Sequence, residues 1–308
     1  HEWVREARPQ LLGNWKRWII VSATLVVLAG VGLVVSGANL GLEFVGGRLV
    51  EYSTDERVDI DELRTVLTEG GLPRALIQET GDGHVIIRTE SLDDAQEQFV
   101  LDSVAAAGGS AAMVRDQFIG PTLGVELRNR ALTALGIAVL VQLAYLAIRF
   151  RWTIALSSVL AMVHDVAILV GVFAVFGKTF DGVFLAALLT VIGYSVNDSV
   201  VIFDRIRETM AARPDDDVQE VVNDACLQTL PRTINTGMGA MLILVSLYVL
   251  GGDTLADFAL ALLIGTVVGS YSSIFTASPI AIALEKRFPR PEPEPEPKKK
   301  RRADGAVV

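Results

Sequence analysis

Six blocks of apolar residues, at 18–36, 132–148, 153–176, 183–203, 233–250 and 255–284, dominate this chain of 308 residues. Each carries few or no charges and is close to or beyond the roughly 20 residues that a helix needs to cross the hydrocarbon core of a bilayer. The sixth is long enough to require tilt or an interfacial end. With 51% hydrophobic and 20% charged residues and a mean hydropathy of +0.44, a single soluble globule and a disordered chain are excluded. The one cysteine, Cys226, forms no intramolecular bridge and supplies no thiolate cluster, which excludes a disulfide scaffold. No small-residue cleavage site follows the first block, so it reads as a span and not as a cleaved signal. Because the sequence opens at His1 and not at Met, a longer natural N-terminus is expected.

Basic residues near span ends set the expected orientation. Arg5, Arg8, Lys16 and Arg17 precede the first span, and Arg149 and Arg151 separate the second from the third. Arg205, Arg207, Arg213 and Arg232 lie between the fourth and fifth, and Lys286 through Arg302 follow the sixth. The short loops on the other side hold only Lys178. Both termini are therefore expected in the cytoplasm, with Trp15, Trp18 and Trp152 at that interface, where indole rings prefer to sit.

One long loop, 41–128, is expected to face outward; it holds seven Arg, no Lys, nine Glu and eight Asp. Its pattern predicts strand 48–53, helix 59–68, strands 75–79 and 84–89, helix 92–106 and strand 111–118. Gly70-Gly71 and Gly108-Gly109 close the helices, and Gly81-Asp82-Gly83 turns the hairpin. A βαββαβ order of this size is the ferredoxin-like split unit with a modest core of its own. The chain's net charge is −9, and its 27 basic residues include only six Lys, four of them (Lys286, Lys298, Lys299 and Lys300) after Leu284. An acidic, Lys-poor surface suits very high salt, which screens self-repulsion; drift in composition is the alternative. In the tail, alternating Pro and Glu makes a stiff spacer. The basic cluster Lys298–Arg302 suits anionic lipid or ribosomal RNA, or is a stop that fixes topology.

Few motifs carry chemistry. Gly177-Lys178-Thr179 resembles the end of a phosphate loop, but Gly171 is one residue too far upstream and no strand precedes it, so no nucleotide site is expected. Asn197-Asp198 lies inside the fourth apolar block. A carboxylate there costs about 2.5–3.5 kcal/mol on insertion scales, so it must face protein or water, either as a functional site or as a helix–helix hydrogen bond. Asp165 is a second intramembrane acid with both readings open. Its neighbour His164 points about 100° away on a helix and is expected to be a satisfied packing residue. Thr229, Thr233 and Thr236 form a polar stripe on the fifth span, and Arg232 beside them is expected to pair with Asp198, with snorkelling as the alternative. Gly265 and Gly269, four apart, permit close helix packing. The charged segment 205–227 reads as a surface helix.

Four segments resemble the SecF family of SecDF protein-export complexes, in the RND superfamily, and the likeness covers nearly the whole chain. Gly41-Leu42-Glu43-Phe44-Val45-Gly46-Gly47 resembles the family's Gly-x-Asp-Phe-x-Gly-Gly, with Glu43 in place of Asp. Gly120-Pro121-Thr122-Leu123-Gly124-Val125-Glu126-Leu127 resembles the approach to span two, and His164-Asp165 the span-three pair. Residues 192–208, with Gly193, Tyr194, Asn197, Asp198, Asp204 and Arg205, match the span-four signature most closely. Arg232 and Thr233 keep part of the span-five motif, while Gly237-Met238-Gly239 replaces its later hydroxyls.

The expectation is an α-helical polytopic membrane protein with six transmembrane helices and a small α+β ferredoxin-like extracytoplasmic domain between helices 1 and 2. The helices fall at 18–36, 129–150, 152–176, 183–204, 229–250 and 255–284. An N-terminal segment 1–17, the domain at 37–128, a cytoplasmic linker helix at 205–228 and a tail at 285–308 complete the chain. The resemblance implies a subunit, not an enzyme, that pairs with a SecD-like subunit and the Sec translocon channel and handles a translocating unfolded polypeptide. It implies use of the proton or sodium gradient within the lipid bilayer, with no cofactor, metal or specific nucleic acid. The candidate ion-coupling residues are Asp198, Arg232, Asp165, Asn197 and Thr233, the Asp198 and Arg232 roles being carried by the resemblance. Two rivals stand beside this reading: half of an RND-type small-molecule or lipid permease, and an assembly subunit without ion flux. One small outer domain without a second porter repeat argues against the permease.

Overall fold

The computed structural model describes residues 9–80, 83–90 and 92–289. The Pro-Glu run, the basic cluster Lys298–Arg302, Arg5, Arg8 and the Gly81-Asp82 part of the expected hairpin turn lie outside the described residues. The chain begins with α1 (Trp15–Ser36), then the short β1 (Asn39–Leu40) and α2 (Leu42–Val45). An α+β domain follows: β2 (Gly47–Ser53), α3 (Ile60–Glu69), β3 (Leu76–Glu79), β4 (Val85–Thr89), α4 (Asp94–Gly108) and β5 (Ala112–Ile119). The remainder is helical apart from β6 (Thr179–Phe180): α5 (Pro121–Arg149), α6 (Trp152–Val175), α7 (Gly182–Ala212), α8 (Val218–Leu250), α9 (Asp253–Ser272), a π-helical turn (Ser273–Ala277) and α10 (Ser278–Arg287). Among the described residues six helices, counting α9 through α10 as one, are long and apolar enough to cross a membrane.

Several expected boundaries move. Helix α5 begins at Pro121, so 121–128 belong to a helix and not to the loop domain. The segment 205–228 is not a separate linker helix. It is the end of α7 and the start of α8, two continuous helices of 31 and 33 residues joined by a short turn. At 1.5 Å per residue α7 is about 46 Å long, well beyond a 30 Å hydrocarbon core, so its charged end projects from the membrane without needing a break. The sixth span is interrupted at Ser273–Ala277, where the helix winds wide.

The spans divide by burial. About half of the residues in the most apolar stretches of α6, α7 and α9–α10 are buried, whereas those of α1, α5 and α8 hold few buried residues. Apolar residues that water would not tolerate, such as Leu140 on α5 and Leu242 on α8, point away from the chain, as lipid-facing or partner-facing residues do. Close approach is built in with small residues. A Cβ on Gly265 would lie 2.1 Å from Val191 Cγ2, and one on Gly171 would lie 2.5 Å from Ala29 Cβ.

In the α+β domain the strand order is β3-β4-β2-β5 and every pairing is antiparallel. Alternation places Val50 and Tyr52 of β2 and Val85 and Ile87 of β4 on one face, under Leu63 and Leu67 of α3 and Val100 and Val104 of α4. Asp59 caps α3 through the N–H groups of Asp61 and Glu62, and Asp93 forms a reciprocal capping box with Gln96 on α4, each supplying acceptors for orphan donors. Arg88 lies on the other face of β4, directed at the bundle.

There the two parts meet. β1 pairs in parallel with β6, the loop joining α6 to α7, with Asn39 opposite Thr179 and Leu40 opposite Phe180. The Gly41 N–H donates to the Phe180 carbonyl at 2.8 Å. Arg88 donates to Asn39 Oδ1 at 3.2 Å and to Thr179 Oγ1 at 3.1 Å. Burial pushes its guanidinium below the usual range, while the Asp181 and Glu43 carboxylates oppose that. Phe180 packs with Phe173 and Phe184, ring centroids 6.4 and 4.8 Å away, and so belongs equally to the α6–α7 pair.

Candidate functional site

Asp165 and Asp198 project from α6 and α7 into the middle of the bundle. Asp165 is buried, and its Oδ2 accepts from Ser195 Oγ at 2.5 Å and Ser272 Oγ at 2.7 Å. Its Oδ1 is 2.9 Å from His164 Nδ1. Neighbouring side chains diverge where they leave the helix, but Nδ1 lies next to the ring's attachment point and the carboxylate reaches back to it. The expected separation of His164 from Asp165 is thereby corrected. The expectation of a satisfied packing residue also fails, because the buried His164 Nε2 has no hydrogen-bond partner.

Asp198 is half buried between α7 and α8. Thr233 Oγ1 donates to its Oδ1 at 2.9 Å, and the Ser273 hydroxyl stands beside the same carboxylate. One turn of α7 places Ser195, Asp198 and Ser199 toward α9 and α8, and Ser199 Oγ meets Ser273 Oγ at 3.1 Å. Ser273 in turn donates to the Gly269 carbonyl at 2.9 Å. The expected Asp198–Arg232 ion pair is not formed. Thr233 faces α7, and the 100° step between consecutive helix residues turns Arg232 to the exposed side, where it acts on Asp198 only as a nearby charge. Thr236 of the expected stripe is exposed as well, and Thr229 bonds back to the Ala225 carbonyl at 3.0 Å.

The last span supplies what sequence reasoning missed. Ser272, Ser273 and Thr276 are buried, and Ser272 and Ser273 reach Asp165 and Ser199. The π turn begins at Ser273, and Ser278 Oγ reaches back to the Ser273 carbonyl at 3.0 Å. Such turns are concentrated at functional sites. A run of three Ser and a Tyr in an otherwise apolar span, 270–273, was the available signal. Among the described residues, no three His, Cys, Asp or Glu side chains converge as a metal would require.

The other singled-out residues fall elsewhere. Gly41, Glu43, Phe44 and Gly46 lie in or beside α2, against the start of α5, where a Cβ on Gly124 would come within 2.8 Å of the Gly46 nitrogen. Gly47 needs φ +114°, and a Cβ there would sit 2.3 Å from the Thr89 carbonyl oxygen. Gly120 caps α5, Pro121 is its first residue, and Glu126 pairs on the surface with Arg130 at 2.6 Å. On α7 Gly193 and Asn197 are exposed and Tyr194 is half buried. Asp204 pairs with Arg149 at 2.7 Å, and Arg205 holds Gln228 at 2.5 Å and Glu208 at 2.8 Å, at the bundle end away from the α+β domain.

Known proteins were compared with this arrangement. The family model described as protein export membrane protein SecD/SecF, C-terminal, matches residues 100–287, and the SecD/SecF GG motif matches 31–56. The chain belongs to the SecD/SecF family. It is 35% identical to the protein translocase subunit SecF of Thermobaculum terrenum, over 89% of this chain and 93% of that one. It is 38% identical to SecF of Pseudomonas aeruginosa, over 86% and 87%. A crystal structure of SecDF from Thermus thermophilus, described as a translocon-associated membrane protein, superposes with a TM-score of 0.83 at 33% identity, over 92% of this chain and 40% of that one. SecDF in a super-membrane-facing form gives a TM-score of 0.67. Like its family, this chain is a multi-pass membrane protein. Its GG motif is the backbone of the junction between bundle and α+β domain, not part of the buried acid cluster.

Proposed function

We propose that this chain assists protein translocation as a membrane subunit working beside a SecD-like partner and the Sec channel, driven by a proton or sodium gradient. In this reading it is not an enzyme, both termini are cytoplasmic, and the α+β domain is a ferredoxin-like unit outside the membrane that holds emerging unfolded chain. The sheet order and antiparallel register of that domain support the fold assignment. A SecD-like partner is supported by the Thermus SecDF protein, of which this chain matches 40%, and by the exposed α8 face with Arg232.

One observation carries the coupling: Asp198 is a carboxylate inside the bundle, met by the hydroxyls of Thr233 on α8 and Ser273 on the last span. Gaining or losing a proton there changes whether the carboxyl accepts from these hydroxyls or donates to them, and α7, α8 and the last span feel it. One charge moved through 100 mV yields about 2.3 kcal/mol, enough to bias a two-state motion. The motion has a route outward, because α6 and α7 are joined by β6, β6 pairs with β1, and Arg88 ties both to the domain sheet.

The test is Asp198→Asn, measured as gradient-stimulated export in membrane vesicles together with recovery of the partner complex. The complex should survive while stimulation disappears. Normal export by the variant would sink the coupling reading.

A further inference from the structure

We infer that the π turn of the last span is the contact through which the buried acids act on α1, and that Thr276 and Ser22 are the positioning residues that make it. The inference rests on the gradient-coupling reading for its consequence in export, and its central test needs no gradient.

Ser22 is 3% exposed on α1, where it and Ala29 are the buried residues. A serine or threonine inside a helix commonly bonds back to the carbonyl four residues earlier, as Thr24 does to Ile20 at 2.8 Å. Ser22 instead crosses to the last span, with its Oγ 2.7 Å from Thr276 Oγ1 and 3.2 Å from the Tyr271 hydroxyl. One turn earlier on α1, Trp18 rests on Phe275 with ring centroids 4.2 Å apart.

Tyr271 and Thr276 are five residues apart. On a regular α-helix that spacing turns two side chains about 140° away from one another. A turn wound to i→i+5 bonding brings residues at that spacing nearly into line. Ser273–Ala277 is wound in that way, and Tyr271 and Thr276 reach the same Ser22 oxygen. The same stretch holds Ser272 on Asp165 Oδ2 at 2.7 Å, and Ser273 beside Asp198 and 3.1 Å from Ser199. Hydroxyls that answer the acids and hydroxyls that answer α1 thus share one wide turn, and a shift in its winding moves both sets together.

From Ser22 the helix α1 runs unbroken to Ser36, about 21 Å further along. The chain then enters β1, which pairs with β6 from the loop between α6 and α7. A displacement of α1 against the α6–α7 pair therefore shears the β1–β6 pairing, beside which the Gly41 N–H donates to the Phe180 carbonyl at 2.8 Å.

The test uses close isosteres in the full chain with its partner in nanodiscs. Thr276→Val keeps the shape and removes the hydroxyl, Thr276→Ser keeps the hydroxyl, and Ser22→Ala removes the other end of the bond. The reporter is hydrogen exchange at the Gly41 amide, compared with and without Asp198→Asn. Asp198→Asn should change that exchange by about two- to tenfold, the range that one hydrogen bond of ordinary net strength gives. The response should be absent in a Thr276→Val or Ser22→Ala background and return with Thr276→Ser. Ser22→Ala combined with Thr276→Val should be no worse than either alone, since both break one contact. In vesicles gradient-stimulated export should follow the same order. Should Thr276→Val not accumulate, Ser22→Ala decides by the same comparison. A full Gly41 response in the Thr276→Val background, a Thr276→Ser variant as unresponsive as Thr276→Val, or no response in the wild-type background overturns the inference. If the response runs through Thr276 and Ser22 while Asp198→Asn exports normally, the contact keeps its assignment and the coupling role of Asp198 falls. If Asp198→Asn abolishes stimulation while Thr276→Val exports as wild type, this inference falls alone.

Discussion

In the α+β domain Glu97 and Asp116 share the Arg48 guanidinium at 2.5 and 2.7 Å, with their side chains about one-third exposed. In the bundle Asp165 takes its hydrogen bonds from two hydroxyls and a ring nitrogen, and its side chain is 2% exposed. The first arrangement sets one cation against two carboxylates, partly open to solvent. In the second, among the described residues, no guanidinium or ammonium group bonds to the acid, and on the next helix the Asp198 carboxylate is likewise met by hydroxyls. Each region thus puts its strain in a different place. The domain is stable through an apolar core and answers its acids with a guanidinium, whereas the bundle interior answers its acids with hydroxyls from neighbouring helices.

The largest expected effect tests where stability resides. Ile87 is 1% exposed at the centre of the domain core, so Ile87→Ala should destabilise the domain by about 2–5 kcal/mol. Leu242→Ala on the 69% exposed face of α8 should leave this chain's stability nearly unchanged and act on association alone. Hydrogen exchange of the β2 and β4 amides in the full chain checks the first, and recovery of the partner complex checks the second. Equal losses of stability in both variants would erase the distinction between the regions.

Next comes the seam between them. Gly47→Ala forces a side chain into φ +114° with its Cβ 2.3 Å from a carbonyl oxygen, at a cost of about 1–3 kcal/mol or more. Faster exchange should start at the β2–β4 pairing nearest Thr89 and leave α6 and α7 untouched. Protection there at the wild-type level would show that the junction yields freely.

The comparison also explains what the residues disclosed before any coordinates. The six apolar blocks were legible because length and hydrophobicity suffice for a span. The six elements of the domain were legible because glycines at 70 and 109 end helices and alternation marks half-buried strands. The segment 205–228 was misread as a separate surface helix because its charge hid that it is the end of one long helix and the start of the next, each leaving the membrane. The interior site was half legible. An intramembrane Asp announces itself, but the facing of Arg232 and Thr233 depends on a one-residue rotation that α8 packing decides. Ser272 and Ser273 were lost among apolar neighbours, and the β1–β6 pairing is only two residues on each side, too short for any periodicity to reveal.

A smaller effect is expected from Arg88→Met, which removes the hydrogen bonds to Asn39 and Thr179. Bonds from a charged donor are worth about 1.5–3 kcal/mol each. Here the buried Nε without a partner already offsets part of that, so a net loss of about 1–2 kcal/mol is expected at the seam. The Gly41 amide, bonded to Phe180, should exchange faster while the Val50 and Ile87 amides keep their protection. Uniform acceleration throughout the sheet would make Arg88 a core residue of the domain and remove it from the route between the two regions.

The smallest effect is a pH dependence confined to the wet region. The Arg48 guanidinium beside Asp116 holds that carboxyl below the ordinary carboxylate range. A carboxyl lowered on folding adds stability that is complete above its unfolded value, near pH 4, and is lost as pH falls through its folded value. The side chain is 36% exposed, so solvent screens the pair and its contribution stays below about 1 kcal/mol. Asp116→Asn should therefore weaken the β2–β5 pairing slightly at pH 6, and the difference should shrink as pH falls through the folded value of the wild-type carboxyl. Salt should shrink the pH 6 difference further, as it does for exposed charges within a Debye length of solvent. A difference that does not shrink with salt would mean that Asp116 acts through packing of the β2–β5 pair and not as a screened charge.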